Sequence, residues 1–487
     1  MDQSARQRAG DRMNTSSLNP EARKENIKTL AAAIGMNHET AEQLLDAEVL
    51  ITYDPTCPSD RILAEQISQL LERTVSHVGQ HLHLPPTVEI VIRLTNASSE
   101  APTLWITPSY PIFTIARSFR DTQGQSETLT PLLSQIGACY VAAMVLKTIT
   151  GDLLPYLPPD PFILDLSAFE VPPDLTTKLI EVGTTYLVGA GAIGNAVLWA
   201  LRHFDIHGEL HIVDHDMISS GNLNRQIWFR EEDIGLPKAE RLAALASPCF
   251  SNLKLIPRIF SLENLPEKSD AAWMERLIVA VDSRRVRRSL QSEFPGEVFD
   301  ASTTDISEIV LHFNKQPNDL ACLSCIYPPD RTELAREQHI AEHLGVTIED
   351  VQKRQIDRAA ADKIITRFQS LDLSVDALEG QAYDSLFKAL CGQAQLQTVE
   401  GRQVLAPFAF VSVLAGTLLA IAFVRRSLYP GVPDYNYWRL SPWQPAQPRL
   451  KRVIPADPNC SFCGQPVLRK VAQKLWAREG RYITEVS

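Results

Sequence analysis

Apolar and polar positions along this chain switch between two spacings. Across residues 20–48 the apolar positions recur at helical intervals, and residues 49–53 then form a short β-branched run that predicts a strand. Residues 59–72 have the spacing of an amphipathic helix, and residues 88–94 and 103–107 predict two more strands. Helix and strand in alternation predict a small α/β unit, and it contains no glycine-rich loop. A second alternation follows: strands at 184–187, 209–213 and 277–281, with helices near 238–246 and at 284–291. That order predicts a doubly wound, mainly parallel sheet of the Rossmann kind. Residues 331–400 are helical and charged, and read as an insertion carried on this sheet.

Two apolar stretches stand apart. Residues 404–423 carry no charge and are long enough to cross a bilayer at ~20 residues. One C-x-x-C pair precedes this run and another follows it, and a single span would part them. We therefore expect a buried helix and no membrane partner. Residues 135–151 and 411–428 are alike: both are rich in small residues and end near basic positions. This echo predicts that the N-terminal unit is a degenerate copy of the second. The expected organisation is a disordered 1–20, an N-terminal α/β domain at 21–150 and a proline-rich linker at 151–177. An adenylation-type domain at 178–330 and 401–487 then carries the helical insertion 331–400.

Composition narrows the chemistry. Over 487 residues, 45% are hydrophobic and 22% charged, an ordinary globular balance. The net charge of −11 argues against nucleic acid, which needs clustered basic surface. The run Arg284, Arg285, Arg287 and Arg288 reads as solvated surface. Eight cysteines in a chain this long do not form a disulfide scaffold. The polar start lacks the apolar core of a signal peptide, and we expect a cytoplasmic protein.

The residues around the second sheet carry the candidate chemistry. Gly189, Gly191 and Gly194 form G-x-G-x-x-G between a predicted strand and helix, a loop that lets a backbone approach phosphates at a helix N-terminus. Asp214 ends the next strand, 20 residues after Gly194, where a carboxylate can accept from ribose hydroxyls. An NAD-dependent dehydrogenase fits equally well up to this point. Beyond it come Asn222, Arg225 and Gln226, then Lys238 opening a helix, then Asp282 at a strand end with Arg287 five residues on. Hydride transfer has no use for these cations. Attack of a carboxylate on the α-phosphorus of ATP does, because charge builds on phosphorus and pyrophosphate must be stabilised as it leaves. Asp282 is placed to hold Mg²⁺.

Taken in order, G-x-G-x-x-G, D-x-D with N-x-x-R-Q, G-x-P-K and a strand-terminal Asp with Arg five later resemble the ThiF/MoeB/ubiquitin-activating superfamily, over roughly residues 184–464 outside the insertion. The resemblance implies ribose contact by Asp214, phosphate contact by Asn222, Arg225 and Lys238, and Mg²⁺ or adenylate handling by Asp282. Two departures stand out. Asn195 follows the last glycine where many members have a small residue, and the arginine-containing N-terminal segment that many members lend to a partner's ATP site is missing.

Cys322-x-x-Cys325 and Cys460-x-x-Cys463, separated by 134 residues, supply two thiolate knuckles for a structural Zn²⁺. Of the other cysteines, Cys139 and Cys249 read as packed and Cys57 as an exposed loop residue. The resemblance points to Cys391, on the crossover before residues 404–407, as the residue that forms a thioester. The expected function is ATP-dependent adenylation of the C-terminal glycine of a ubiquitin-like protein, then thioester formation and transfer to a conjugating enzyme. The architecture looks similar to activating enzymes of ubiquitin-type conjugation, bacterial defence systems included. Adenylation for sulfur transfer, as in thiamine or molybdopterin synthesis, and a non-catalytic nucleotide-binding scaffold are the alternatives. The resemblance and the small-residue helix together imply a homodimer.

Overall fold

The computed structural model describes residues 18–476 except 83–84, 120–128, 172–174, 261–273, 330–332, 354–355, 370, 372, 382, 384–385, 388–389, 391–404, 430 and 432–433. Cys391 and nearly all of the N-terminal 1–20 therefore lie outside the described residues. The N-terminal unit begins with α1 (Pro20–Ile34), whose first turn is set by the Asn19 cap and Pro20. Gly35 takes φ 64°, which ends the helix, and α2 (His38–Leu45) restarts under an Asn37 cap. The single helical pattern expected over 20–48 is thus two helices. Then come β1 (Glu48–Thr52), α3 (Pro58–Leu71), β2 (His77–Gly79), β3 (Val88–Ile92), β4 (Thr103–Pro108), β5 (Ile112–Ala116), α4 (Pro131–Thr150) and β6 (Phe162–Asp165). The strand order is β2-β1-β3-β4-β5-β6, parallel through β4 and antiparallel at β5 and β6. The proline-rich stretch expected as a linker holds β6, which pairs with β5 and buries Phe162 and Leu164.

The second unit runs β7 (Leu179–Val188), α5 (Ala192–Leu201), β8 (Asp205–Val213), α6 (Lys238–Ala246), β9 (Leu253–Arg258), β10 (Arg276–Val279), α7 (Arg284–Gln291), β11 (Glu297–Thr304), β12 (Glu308–Lys315) and α8 (Leu323–Ile326). The insertion supplies α9 (Glu333–Leu344), α10 (Ile348–Gln352), α11 (Arg358–Arg367) and α12 (Val375–Leu378), packed around a small core of their own that includes Leu344, Val351 and Ile364. The chain returns through α13 (Ala409–Leu428), β13 (Tyr437–Leu440), β14 (Lys451–Arg452) and α14 (Pro466–Trp476). Its eight-stranded sheet is ordered β14-β13-β12-β11-β10-β7-β8-β9, parallel from β9 to β11 and antiparallel beyond.

The two sheets share one plan. The order β2-β1-β3-β4-β5-β6 matches β8-β7-β10-β11-β12-β13 strand for strand, with the same change from parallel to antiparallel. α3 follows β1 as α5 follows β7, and α4 precedes β6 as α13 precedes β13. The two 20-residue apolar helices meet at the centre, where buried Gln135 of α4 donates to Thr417 Oγ1 of α13 at 2.6 Å. Both helices are long and apolar enough to cross a membrane, yet 89% and 94% of their apolar windows are buried inside the fold. The small-residue face of α13 is therefore covered by this chain's own α4 and α5. One apolar core continues through both units, and each fully buried Leu, Ile or Phe in it contributes roughly 1.5–3 kcal/mol.

The approach of α13 to α5 depends on Gly416. A Cβ there would sit 2.4 Å from Ala196 Cβ and 2.7 Å from Ile193 O. Gly416→Val should overpack this contact and destabilise the protein by about 1–3 kcal/mol, despite removing a helical glycine. The denaturant midpoint reads the change, and an unaltered midpoint would contradict the packing described.

Candidate functional site

The connection from β7 leads to β8 on one side and that from the adjacent β10 leads to β11 on the other, so a crevice opens between the C-terminal ends of β7 and β10. The glycine loop lines this crevice. Gly189 has φ 102°, and a Cβ on it would lie 2.6 Å from Ala280 O; at Gly194 a Cβ would lie 2.0 Å from Gly189 O. These two glycines make the turn and the helix–strand packing possible. Gly191 differs, since a Cβ there meets nothing within 4 Å. It leaves the start of α5 open to a ligand, with amide N–H groups and the helix dipole favouring an anion.

Asp214 leaves β8 at this crevice. Its Oδ2 accepts from Ala190 N at 2.7 Å and its Oδ1 from Asp216 N at 2.8 Å, so the carboxylate pins the glycine loop. Burial pushes the Asp214 carboxyl up, against the pull of Lys238. Lys238, at the start of α6, is buried and donates to Asp216 Oδ2 at 2.8 Å. Burial works against both charges of that pair, but the mutual attraction wins. The Asp216 carboxyl is held low and the Lys238 ammonium high. Lys238 is thus already paired with Asp216.

Asn222 and Arg225 sit in the 3-10 turn Ser220–Asn224 and just beyond it. Asn222 Oδ1 accepts from Ser219 N at 3.2 Å, which braces the turn. Arg225 donates to Asn224 Oδ1 at 2.7 Å and to Gly221 O at 3.1 Å. Burial lowers its pKa, opposed by the charges of Glu25 and Asp282. Gln226 is buried, and its Oε1 has no hydrogen-bond partner among the described residues. Asp282, exposed after β10, acts electrostatically on both Arg225 and Asp216. The structure thus brings Asp214, Lys238, Arg225 and Asp282 around one loop. Arg287 is elsewhere. It is buried, ion-paired with Asp300, and donates to Val281 O and to Ala301 O at 2.9 Å. It buttresses the strand ends from below, and the basic run of α7 is not all solvated surface: Arg285 pairs with Glu337 of the insertion at 3.3 Å.

A profile of the ThiF family matches residues 164–461, more than half of the chain. The chain belongs to the ThiF family. An uncharacterized protein of Sinorhizobium fredii, y4jF, is 30% identical over 63% of this chain and 62% of its own length. A ubiquitin-activating enzyme E1-like protein of Saccharomyces cerevisiae is 38% identical over 23% of this chain and 18% of its own. The SAMP-activating enzyme E1 of Haloferax volcanii is 37% identical over 15% of this chain and 27% of its own. The chain spans less than two thirds of each of these relatives. Among solved structures, E. coli MccB with ATP aligns with 74% of this chain and 98% of its own at 14% identity, with a TM-score of 0.37.

Asn195, the departure from the ThiF pattern, is wholly buried and ties the loop together. Its Nδ2 donates to Ala190 O at 2.8 Å and Gly191 O at 3.0 Å. Its Oδ1 accepts from Trp228 N at 3.3 Å, and its backbone O accepts from Trp228 Nε1 at 3.1 Å. One side chain thereby links the glycine loop to the segment that carries Arg225 and Gln226. The sequence marked the position as unusual without showing this use.

The ThiF unit also closes a thiolate cluster. The Sγ atoms of Cys322, Cys325, Cys460 and Cys463 lie within 4.8 Å of one another. Amides of Asp457, Phe462 and Cys463 point at the sulfurs at 3.4–3.5 Å, as expected where thiolates need donors. Four soft ligands in this space fit Zn²⁺, and α14 follows directly, so a metal here would tie the C-terminal segment to β12 and α8.

The N-terminal sheet has the matching crevice between β1 and β3, and it is filled. Asp60, buried in the first turn of α3, pairs with Arg93 after β3 at 2.9 Å. A protein carboxylate thus holds the helix N-terminus that a phosphate would need. Cys57 is the half-buried N-cap of α3. Cys139 is buried, and burial pushes its thiol up. Cys249, expected to be packed, is exposed.

Two outcomes follow from these contacts. Asn195→Leu takes the side-chain partner from Ala190 O and Trp228 N, while Gly191 O keeps the backbone N–H of residue 195, and should cost about 1–3 kcal/mol in denaturant unfolding; a neutral change would contradict the role given to it. Metal analysis of the purified chain should find one zinc per chain, lost in Cys460→Ser together with a lower thermal midpoint. Metal-free wild type of unchanged midpoint would contradict a structural zinc.

Proposed function

We propose that this ThiF-family chain is an ATP-dependent adenylating enzyme that activates the C-terminal carboxylate of a ubiquitin-like protein. The observation that carries the reading is the convergence of Asp214, Lys238, Arg225 and Asp282 on a glycine loop left open at Gly191. In this reading the loop amides and Arg225 take the phosphates, and Lys238 moves between Asp216 and phosphate oxygen as charge develops. Asp214, already committed to Ala190 N and Asp216 N, shapes the loop and offers its remaining lone pairs to ribose. Asp282, exposed and within electrostatic reach of Arg225, fits a Mg²⁺ ligand. Bound Mg²⁺ would neutralise phosphate charge and aid the departure of pyrophosphate.

The substrate carboxylate oxygen attacks the α-phosphorus. The bond from that phosphorus to the bridging oxygen breaks, giving acyl-adenylate and pyrophosphate. In the second step the Cys391 thiol attacks the acyl carbon, AMP leaves, the thiol proton passes to solvent, and the acyl group goes on to a conjugating enzyme. The placement of Cys391 before α13 on the sequence, and the names of the yeast and Haloferax relatives, support this finer reading. So does the insertion with its own core, a separable platform for such a cysteine. A bacterial defence system is one setting that suits it. The N-terminal unit is read as an inactive adenylation half, fused in cis: it repeats the strand plan, covers α13 and closes its own crevice with Asp60 and Arg93.

ATP–pyrophosphate exchange tests the reading, with ubiquitin-like proteins ending in glycine as substrates. Wild type should exchange. Asp282→Ala should lose about two or more orders of magnitude in rate. Cys391→Ala should exchange normally but form no reducible conjugate. Exchange without a conjugate in wild type would favour sulfur transfer, and no exchange with any such substrate would contradict adenylation.

A further inference from the structure

α1 of the N-terminal unit packs on the turn that carries Arg225: the Cβ position of Gly221 lies 3.4 Å from Glu25 Cγ. A chain of polar contacts crosses between the units here. The backbone O of Arg73 accepts from Asn26 Nδ2 at 2.7 Å. Asn26 Oδ1 accepts from Asn224 Nδ2 at 2.9 Å, and Asn224 Oδ1 accepts from Arg225 Nη1 at 2.7 Å. The order cannot be reversed. A carbonyl at one end only accepts and a guanidinium at the other only donates, so both amides are held in one orientation. Asn26 is 1% exposed and Asn224 0%, so water does not compete for these bonds.

The side chain of Arg73 closes the circuit. Its guanidinium donates to Leu223 O, to Ile227 O at 3.0 Å and to Phe229 O at 3.4 Å. These carbonyls flank Arg225 and Gln226 on both sides. Burial lowers the Arg73 pKa to about 10, which still leaves it charged at neutral pH. The planar fork of arginine reaches several carbonyls at once, which a lysine ammonium does less well. Glu25, next to Asn26, adds an attractive charge for Arg225.

We propose that the N-terminal unit is a built-in positioning subunit, in which Asn26 and Arg73 hold Arg225 in the orientation that meets nucleotide phosphate. The proposal rests on Arg225 being a phosphate ligand, as read above. Asn26 and Arg73 touch no nucleotide in this scheme; they act through Arg225 and its loop. A rigid arginine reaches phosphate without losing rotamer freedom on binding, so the contribution of these residues appears in affinity.

A double-mutant cycle on the full chain tests this, with Mg–ATP as the probe and calorimetry as the readout. Asn26→Leu and Arg225→Ala should each weaken binding roughly tenfold or more. The double variant should bind no more weakly than Arg225→Ala alone, a non-additivity that general destabilisation does not produce. Arg73→Lys serves as the second variant should Asn26→Leu not fold, with the same coupling expected. An equal fold-loss in both backgrounds, or no loss in either single variant of the N-terminal unit, would overturn the proposal while leaving the nucleotide site intact. Wild type that binds no Mg–ATP would instead overturn the reading of the site.

Discussion

The close contact of α13 with α5 and α4 is the constraint on which the other features depend. α13 carries a glycine where α5 presses on it, and α5 begins at the glycine loop. On its other side α13 meets α4, through apolar packing and the Gln135–Thr417 bond. The start of the crevice helix and the docking of the N-terminal unit thereby meet on one buried helix. Its apolar character, which by composition alone would suit a membrane, is used inside the protein to join two sheets of the same plan.

The two crevices show how one topology can be open or closed by a few side chains. After β7 the turn has three glycines, and its carboxylate, Asp214, lies behind the loop with its oxygens directed to backbone amides. After β1 the turn has prolines and an Asp54–Thr56 hydrogen bond, and the carboxylate of Asp60 stands in the first turn of the helix with Arg93 against it. Asp60 is buried, and the charge of Arg93 beside it offsets part of the cost of that burial. The result is a sheet whose first helix turn carries a carboxylate where the second sheet has an open glycine loop. The first unit instead contacts the second through Asn26 and Arg73, next to Arg225.

Much of this was legible in residue order, and the parts that were not have identifiable causes. Glycines at 189, 191 and 194 between an apolar strand and a helix announce the loop, because the conformation and close approach there exclude side chains. The paired C-x-x-C spacing announced the thiolate cluster for the same kind of reason. The helix break at Gly35 was missed because its neighbours continue the apolar spacing, and β6 was missed because prolines around it read as linker. Arg287 reads both as part of a solvated basic run and as the cation after Asp282, since sequence shows a charge but not the buried Asp300 that takes it. Asn195, Asn26 and Asn224 were opaque for a related reason. A buried amide is defined by partners far away along the chain, and here those partners are 33 and 198 residues distant.

The central claim is that one chain contains both halves of the arrangement and a single working nucleotide site. Titration of the full chain with Mg–ATP at known chain concentration, followed by calorimetry and native mass spectrometry, tests it most directly. One nucleotide should bind per chain, lost when Gly191 is replaced by valine and unaffected when Asp60 is replaced by asparagine. Two nucleotides per chain, or one shared between two chains, would contradict it.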